Sequence, residues 1–581
     1  IYTSMIRIFI DKYFFLIGKK KRELPIIFIF LLLLSFLELL GLGLIGPYIN
    51  IVFAEDTTKP NILNNILYFE NKESAVLFWG SLTIFLFASK NFFAWFIQRK
   101  IIIFSYEQEF ALRNRISNIF LNLSLENIQE SSSSEYINII TRHISQYTNQ
   151  ILLASLKLCV DGIAMTAVLV FLIIFNPVAT SLLALILVMT ISIYQFIVKD
   201  RIIRSGTAQA ESFTQIIGLV SSIIKGTREI VVYGVKDYFS NKLSSESHKN
   251  QVAYTTYTSL QMVPRYLIEV ILMIALISLS FVLYRFSQST TETLATLSIY
   301  AVAAVRLMPA FLTLTNSLNN IQNGQKIFNE LFNFTKKLEN ADLPLNKNQN
   351  FDNLEKIKFN ILSVENLSFS YAGQSQNILE DINFSIKAGD TIGLMGSSGS
   401  GKTSFINLLL GLSQPTSGVI KVNNIDIHDP KISWAGSTAY IPQEKFLIDD
   451  TILKNIALGI PKDKIDYKKL DYALKVSSLK DFVDSLPESI NTHIGEDGSK
   501  LSGGQKQRIC LARAIYFDRD FIIMDEATSA LDKDTENEIV KEIKMMKGIK
   551  TFLIIAHRDS TIENCDKVYR IENKHIKLIQ D

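Results

Sequence analysis

The chain has 581 residues, a formal net charge of +3 and a mean hydropathy of +0.22. This length exceeds what one globular core normally accommodates, and the small net charge gives no support for nucleic acid as a partner. Apolar residues form long blocks before Asn320 and alternate with polar residues after Asn350. The change of pattern predicts a membrane-spanning half followed by a soluble half.

Six apolar blocks are each long enough to cross a bilayer, which takes about 20 residues. We predict spans at Pro25–Asn50, Leu77–Ile97, Leu152–Phe175, Ala179–Val198, Met262–Tyr284 and Leu294–Leu318. Met5 is expected to be the natural first residue, and no secretory signal with a cleavage site precedes the first span.

Lysines and arginines at the ends of the spans predict the orientation of the chain. The basic run Lys19–Arg22 precedes span 1, and further cations follow spans 2 and 4, so these ends are expected to be cytoplasmic. The loop after span 1 carries more acidic residues and is expected to be external. It contains apolar residues at helical spacing, which are Ile62, Leu63, Ile66 and Leu67. The spacing is compatible with a short amphipathic helix at the outer surface or with an ordinary ordered loop.

The three cysteines, Cys159, Cys510 and Cys565, are too widely spaced for a disulfide framework or a metal-binding motif. The composition around Leu338–Asp352 is typical of a linker. We therefore predict a transmembrane domain at 1–335, a linker at 336–359 and a nucleotide-binding domain at 360–581.

A phosphate-binding loop follows the short apolar segment Thr391–Met395, which predicts a strand, and precedes an apolar-periodic segment that predicts a helix. Glycines let the backbone N–H groups of such a loop turn towards phosphate oxygens, and the helix N-terminus adds partial positive charge. Lys402 is expected to contact the β- and γ-phosphates of a nucleotide, and Thr403 to bind Mg²⁺. The nucleotide-binding residues predicted here are Gly396, Ser397, Ser398, Gly399, Ser400, Gly401, Lys402, Thr403 and Ser404.

A second acidic element ends the apolar segment Phe521–Met524, which predicts a buried parallel strand. Asp525 is placed to hold Mg²⁺, and Glu526 is placed to polarise an attacking water. An acidic pair that only caps a helix is the alternative for this element alone. The preceding phosphate-binding loop favours the catalytic interpretation.

Between these two elements lies LSGGQ, Leu501–Gln505, which resembles the signature motif of ABC ATPases. The resemblance covers about Ile361–Asp581 and extends to the other motifs of that family, in order. It implies that Tyr371 stacks on adenine, that Gln443 senses Mg²⁺ and the γ-phosphate, and that His557 is the switch histidine. It also implies that Ser529–Asp532 couples two nucleotide sites and that Thr492–Gly498 contacts the membrane helices of a partner.

In that family the signature loop of one subunit closes over the nucleotide held by another. Ser502, Gly503, Gly504 and Gln505 would then face the γ-phosphate of ATP bound to a second chain. One chain has one copy of each motif, so the resemblance implies two chains and two ATP–Mg²⁺ sites. We expect a homodimer with two hydrolysing sites, because Glu526 and His557 are both present, although one sequence leaves pairing with a different chain open.

Six spans before one such domain resemble an ABC exporter half-transporter. The expected architecture is an all-α six-span transmembrane domain followed by an α/β P-loop nucleotide-binding domain, in a bacterial inner membrane with the N-terminus and the nucleotide-binding domain cytoplasmic. Leu125–Ser134 and Lys225–Phe239 are candidates for the segments that couple the domains. Plain cytoplasmic turns are the alternative for both.

Short stretches of the spans are similar to PglK-type flippases of lipid-linked oligosaccharides, in which case a membrane lipid carrying a glycan is the partner. The stretches are SFLELLGLGLIGPYI, VPRYLIE and VRLMP. Lys90, Arg265 and Arg306 lie within or at the edge of spans, where cations usually face a water-filled cavity, and they would suit a pyrophosphate. The resemblance has arginine where Lys90 stands, so the charge is kept and the bidentate fork is lost.

Other interpretations of these features stay open at this point. Lys90 could instead pair with an acid such as Glu38 or Glu269, and Arg265 could lie at the membrane interface. Export of a peptide, a drug-like amphiphile or a lipid A-type lipid is the alternative within transport. An ATP-gated channel or regulator is the alternative outside it. A soluble DNA-repair ATPase is excluded by the six spans.

Overall fold

The computed structural model describes residues 2–53, 72–123, 133–175, 177–286, 290–340, 357–371, 376–429, 434–525, 540–541, 543–555 and 565–580. Contacts divide the chain into two compact units. The first contains Ile1–Ile119 and Ser133–Asn340, and the second contains Phe120–Ser132 and Ala341–Asp581. In the described residues the first unit is helical and the second combines helices with two sheets.

The first unit consists of helices of very different lengths. They are α1 (Tyr2–Ile17), α2 (Leu24–Phe53), α3 (Lys72–Leu121), α4 (Ser133–Asn138), α5 (Ile144–Tyr147), α6 (Leu153–Phe175), α7 (Pro177–Lys225), α8 (Thr227–Val232), α9 (Lys236–Phe286) and α10 (Thr290–Asn340). A 3₁₀ segment, Gly18–Glu23, joins α1 to α2, and two π-helical segments, Ile139–His143 and Thr148–Leu152, join α4, α5 and α6.

Each predicted span lies within one helix or, for span 3, begins one residue before it. Five helical segments of the described part are long and apolar enough to cross a membrane; they fall on the helices of predicted spans 1, 2, 3, 5 and 6. Predicted span 4 lies in α7, where the side chains of residues 178, 179, 182, 183 and 187 are outside the described set. The helices α3, α7, α9 and α10 have 49 to 51 residues, so they continue far beyond the predicted spans.

The largest apolar core of the described first unit joins α2, α6, α9 and α10. Its fully buried members include Leu42, Leu172, Ile268, Leu307 and Phe311. All four helices contribute side chains to one cluster. Because these helices carry predicted spans, close van der Waals packing stabilises the cluster rather than removal of apolar area from water.

The predicted linker at 336–359 begins inside a helix, because α10 continues to Asn340. Phe328, Leu331, Phe334 and Leu338 are buried at helical spacing, so the buried face of α10 extends past residue 335. The proposed external helix around Ile62–Leu67 and most of Leu125–Ser134 lie outside the described residues. Lys225–Phe239 contains the short helix α8, and its last residue, Val232, and the following Tyr233 are exposed.

The second unit contains two sheets and five helices among its described residues. The strands are β1 (Ile361–Phe369), β2 (Leu379–Lys387), β3 (Thr391–Gly396), β4 (Ser417–Val422), β5 (Ile425–Asp426), β6 (Thr438–Ile441), β7 (Phe521–Asp525), β8 (Thr551–Ile555), β9 (Lys567–Glu572) and β10 (His575–Gln580). The helices are α11 (Lys402–Leu409), α12 (Ile452–Ile456), α13 (Tyr467–Val476), α14 (Lys480–Asp484) and α15 (Gly503–Tyr516).

The larger sheet has the order β10-β9-β3-β8-β7-β6, and the smaller, antiparallel sheet has the order β2-β1-β4-β5. Strands β9, β3, β8, β7 and β6 are parallel, and only β10 runs against its neighbour. Both β7 and β8 are buried along their whole length, as their continuous apolar sequences predict. The carboxyl ends of these five parallel strands therefore meet at one end of the sheet, which is where such sheets bind ligands.

Candidate functional site

The loop between β3 and α11 is shaped for a phosphate group. Gly399 and Gly401 have φ values of +78° and +99°, which favour glycine. A Cβ at Gly396 would come within 2.5 Å of the Ser400 Oγ and 2.9 Å of a backbone carbonyl, and one at Gly401 would touch Leu379 at 3.0 Å. A side chain is thus disfavoured at these three glycines by the backbone conformation and, at Gly396 and Gly401, also by neighbouring atoms.

Two polar groups of this loop fit an anionic ligand. The Lys402 ammonium donates to the carbonyl oxygens of Gly396 and Ser397 at 2.7 and 2.9 Å, which holds it across the loop. The Ser400 Oγ is buried and has no hydrogen-bond partner among the described residues. A buried hydroxyl without a partner is costly, and a phosphate oxygen would satisfy it. The residues present therefore fit the triphosphate of ATP.

The strand register brings the other predicted residues to the same edge of the sheet. Leu394 of β3 and Asp525 of β7 both pair with Ile555 of β8, so the three residues lie at one level. Gly396 follows Leu394 by two residues. Gln443 follows Ile441, the last residue of β6, in the same way and is exposed. Asp525 and the phosphate-binding loop thus lie at the same end of the sheet, where the parallel strands finish.

Asp525 has a partner that the sequence analysis did not identify. The Tyr440 hydroxyl of β6 donates to the Asp525 Oδ2 at 3.4 Å, and Asp525 is 6% exposed. Burial and the adjacent carboxylate raise the pKa of Tyr440 well above its usual value, so it stays a donor. Tyr440 directly precedes the IPQ of the Gln443 motif, and its position on a strand next to β7 was the available signal.

Mg²⁺ bound to a nucleotide usually takes one or two protein oxygens and completes its shell with phosphates and water. Asp525 supplies a buried carboxylate, and Thr403, the second residue of α11, has an exposed side chain. No cluster of three His, Cys, Asp or Glu side chains occurs in the described part of the chain. The donor set fits a metal that arrives with a nucleotide.

Tyr371 lies above the helix that follows the loop. Its hydroxyl is 3.0 Å from the Ser404 Oγ, and its ring meets Phe369 edge-on at 5.0 Å between centroids. These two contacts hold the ring at the end of β1, beside α11. The structure therefore brings the predicted adenine-stacking residue together with the predicted phosphate-binding residues.

The LSGGQ segment forms the N-terminus of α15. The Ser502 Oγ accepts from the Gln505 N–H at 3.2 Å, and the Gln505 Oε1 accepts from the Ser502 N–H at 2.9 Å. This capping box uses the Gln505 side chain locally, and the first N–H groups of α15 remain available. A Cβ at Gly503 would meet no described atom within 4 Å, so the fold of this unit does not require glycine there.

The remaining predicted residues of the nucleotide site are Glu526, Ser529–Asp532 and His557, and they lie outside the described residues. Their neighbours on the chain are placed. Asp525 ends β7 one residue before Glu526, and Ile555 ends β8 two residues before His557. Their proposed roles therefore stay predictions.

A charged cluster joins three helices of the first unit. The Lys90 ammonium of α3 donates to the Glu38 Oε1 of α2 at 2.7 Å, and the Arg306 Nε of α10 lies 3.8 Å from the same oxygen. Lys90 is 6% exposed, whereas the Arg306 side chain is 30% exposed and lies over the ring of Phe87 at 5.5 Å. The structure thus combines two of the three predicted cations with a carboxylate.

A further acid, Asp161, lies near this cluster, whereas the third predicted cation, Arg265, forms no ion pair with it. Asp161 of α6, which was not among the predicted site residues, lies within electrostatic range of Glu38. Arg265 of α9, by contrast, is exposed and forms no ion pair with any described residue. The structure therefore does not bring Arg265 into the cluster of Lys90 and Arg306.

Comparison with known proteins gives relatives for both units. A family model described as ABC transporter matches residues 379–529. An ATP-dependent lipid A-core flippase of Saccharophagus degradans is 30% identical over 470 residues, which are 80% of this chain and 77% of that protein. An ATP-dependent lipid A-core flippase of Sodalis glossinidius is 28% identical over 546 residues, or 90% of each chain.

The fold of the described chain also has a solved counterpart. A bacterial Atm1-family ABC exporter with ATP bound aligns with a TM-score of 0.75 over 96% of this chain and 95% of that chain. The two sequences are 20% identical, so this similarity concerns the fold.

Proposed function

The chain belongs to the ABC transporter family, and we propose that two copies of it flip a phosphorylated glycolipid of the lipid A type across a bacterial inner membrane. As a multi-pass ABC exporter it couples ATP hydrolysis to transport. The substrate class comes from the relatives, which are named lipid A-core flippases and align along as much as 92% of the chain. The Arg306 guanidinium inside predicted span 6 supports the same substrate class, a phosphorylated lipid.

The observation that carries the substrate proposal is the state of Arg306. Its guanidinium is close enough to Glu38 for an ion pair, but at 3.8 Å it makes no hydrogen bond with any described residue. A guanidinium has five N–H donors in a planar fork that matches a phosphate. A partly exposed arginine on a predicted span, with its donors unused, supports an anionic lipid headgroup as ligand.

The other two predicted cations have different parts in this proposal. Lys90 is buried and uses one N–H donor on Glu38, so we assign it mainly to holding Glu38 beside Arg306. Arg265 is exposed and would meet the headgroup only before or after it reaches the cluster. Substitution of Arg306 should therefore affect transport most strongly.

We assign the energy-coupling step to the nucleotide site. Bound ATP with Mg²⁺ would supply the phosphoanhydride bond whose hydrolysis drives the cycle. Lys402, Ser400 and the glycine loop hold the phosphates, Asp525 and Thr403 hold the metal, and Gln443 with His557 senses the γ-phosphate. Glu526 polarises the attacking water.

The second chain is part of the same proposal. No described atom of its own chain lies within 4 Å of a Cβ added at Gly503, which supports a close approach by a nucleotide bound to the partner. Two identical chains then form two sites, with the N-termini and the nucleotide-binding domains on the cytoplasmic side, where the basic residues flank the spans.

A lipid-linked oligosaccharide is the second candidate substrate. The short stretches of spans 1, 5 and 6 that resemble PglK-type flippases favour it, and a pyrophosphate would engage Arg306 by the same chemistry. The two candidates differ in the lipid and in the number of linked phosphates, which a transport assay can separate.

The test uses the full chain reconstituted in liposomes, with ATPase and flipping measured side by side. A lipid A-type substrate should stimulate ATPase and be flipped, whereas its dephosphorylated analogue should do neither. Stimulation by a polyprenyl-pyrophosphate glycan alone would move the assignment to the second candidate. ATP-dependent current without lipid movement would refute both and favour a channel.

Arg306→Gln should raise the substrate concentration for half-maximal ATPase stimulation about tenfold or more, because a charge-assisted hydrogen bond contributes roughly 1.5–3 kcal/mol. Lys249→Gln is the matched control, since Lys249 is an exposed cation of the same unit paired with Glu246. Equal stimulation of both variants would remove the charge argument, while basal ATPase reports that both are folded.

A further inference from the structure

The beginning of the chain runs antiparallel to α3. Four contacts between the two segments define their register, and they are the Phe15 carbonyl with Arg115, Lys20 with Glu107, the Phe30 ring with the Phe93 ring, and Glu38 with Lys90. As residue numbers rise on one segment they fall on the other. The order holds from the end of α1 to the middle of α2.

This register places two pairs of cations in one stretch, between the Lys20–Glu107 contact and the Phe30–Phe93 contact. Lys21 and Arg22 lie between Lys20, which contacts Glu107, and Phe30, which contacts Phe93. Lys21 and Arg22 therefore lie at the level of the part of α3 between residues 93 and 107. Arg99 and Lys100 lie in the middle of that part. The four cations form a basic patch at one end of the first two predicted spans.

The basic patch has very little compensating charge. Lys21, Arg22, Arg99 and Lys100 are all exposed, and none forms an ion pair with a described residue. Lys20 differs, because Glu107 neutralises it. The one carboxylate of the 3₁₀ segment is Glu23, and α3 has none between residues 93 and 106. The four cations of the patch are therefore balanced by one nearby carboxylate, that of Glu23.

Aromatic and aliphatic side chains border the patch. The Arg99 guanidinium lies over the Trp95 ring at 5.7 Å, and the Lys100 ammonium lies over the Phe96 ring at 5.6 Å. Trp95 is 54% exposed, and exposed apolar side chains continue from it along both helices, including Ile29 and Phe92. Tryptophan beside arginine at the end of an apolar helix surface is typical of the membrane interface.

The geometry points to a binding surface for anionic phospholipid headgroups at this patch. The phosphates of such lipids lie at the level where the apolar surface ends, and arginine and lysine both bind phosphate, the former through its fork. Each cation near an anionic surface strengthens association about fivefold, so the four together select anionic over zwitterionic lipid. Arg99 lies nine residues after Lys90 on α3, so this surface is separate from the charged cluster and independent of the substrate proposed above.

Trp95 provides a local probe, because the chain has three tryptophans and the other two, Trp79 and Trp434, are buried. The full chain carrying Trp79→Phe is reconstituted in phosphatidylcholine containing brominated phosphatidylglycerol or brominated phosphatidylcholine at equal mole fraction. Brominated phosphatidylglycerol should quench Trp95 more strongly. The excess should disappear in K21Q/R22Q/R99Q/K100Q and shrink at high salt.

The matched control is K462Q/K464Q/K468Q/K577Q, which removes the same charge from exposed lysines of the second unit. It should keep the excess quenching. Basal ATPase in pure phosphatidylcholine shows whether each variant is folded. If the quadruple patch variant is inactive there, K21Q/R22Q alone should reduce the excess severalfold. Equal quenching by the two brominated lipids in the parent protein, or an excess that survives the patch substitutions, would overturn the inference. Neither result depends on the transported substrate.

Discussion

Removal of the Glu38 carboxylate should destabilise the first unit strongly. Its carboxylate lies 2.7 Å from the Lys90 ammonium and 3.8 Å from the Arg306 guanidinium. Glu38→Gln leaves two cations without their nearest counter-charge, and Lys90 is 6% exposed and cannot reach water without rearrangement. Removing one partner of a buried ion pair costs about 3–5 kcal/mol, and we expect the upper part of that range here.

Lys90→Met should cost less, because Glu38 then keeps Arg306 and the methionine keeps most of the buried stem. The double variant Glu38→Gln/Lys90→Met removes both buried charges and should recover much of the loss. The assay measures the denaturant midpoint of the full chain in mixed micelles, with resistance to proteolysis as the readout of folding. Additive losses in the double variant would refute the argument, since they would show that the two side chains stabilise the protein independently.

Three further predictions concern the second unit. Tyr440→Phe should raise the Mg²⁺ concentration for half-maximal ATPase twofold to tenfold, because Asp525 loses a hydrogen bond at 3.4 Å; an unchanged Mg²⁺ curve would contradict this. Gly503→Ala should leave the denaturant midpoint unchanged, since no described atom lies within 4 Å of the added Cβ, but lower ATPase at least tenfold by obstructing the partner's nucleotide; normal turnover would remove the shared-site proposal. The Asp518 carboxylate accepts a hydrogen bond from the Lys550 ammonium at 2.9 Å, and this contact lowers the pKa of Asp518 in the folded state. Its stabilising contribution is therefore present above the unfolded pKa of about 4 and lost as pH falls through the folded value. Asp518→Asn should cost about 0.5–1 kcal/mol at pH 7 and nothing near pH 2, and a constant difference between these pH values would exclude the ion pair as its cause.

The nucleotide site could be predicted from the sequence largely because its determinants are local. The glycine loop, Lys402 and Thr403 are contiguous, and buried parallel strands are recognisable as apolar runs such as Phe521–Met524. Once the strands are assigned, their carboxyl ends must share an edge. The Tyr440–Asp525 contact could not be predicted in this way, since it depends on which two strands are neighbours in the sheet.

The first unit shows the opposite case. Composition locates apolar spans, but it does not say which acid meets Lys90, and Glu38 and Glu269 were equally compatible with the sequence. Lys90 meets Glu38 because α2 and α3 pack in an antiparallel register. This register brings together two residues that are 52 positions apart in the sequence. The predicted linker at 336–359 begins inside α10 for a related reason. Polar residues around 336–340 indicate a loop, whereas the buried positions Phe334 and Leu338 continue the helix.

The lengths of the helices connect the two functions of the chain. At 1.5 Å per residue, α9 and α10 with 51 residues each are about 75 Å long, and the hydrocarbon core of a bilayer is about 30 Å thick. More than half of each helix must therefore lie outside the hydrocarbon, in one continuous element with the span. Arg306 is on the same helix as the chain segment that leads to the second unit, since α10 ends at Asn340. No loop separates Asn340 from Arg306 in α10, although Pro309 removes one helical hydrogen bond between them. We expect a displacement at the end of α10 to reach the charged cluster along this helix.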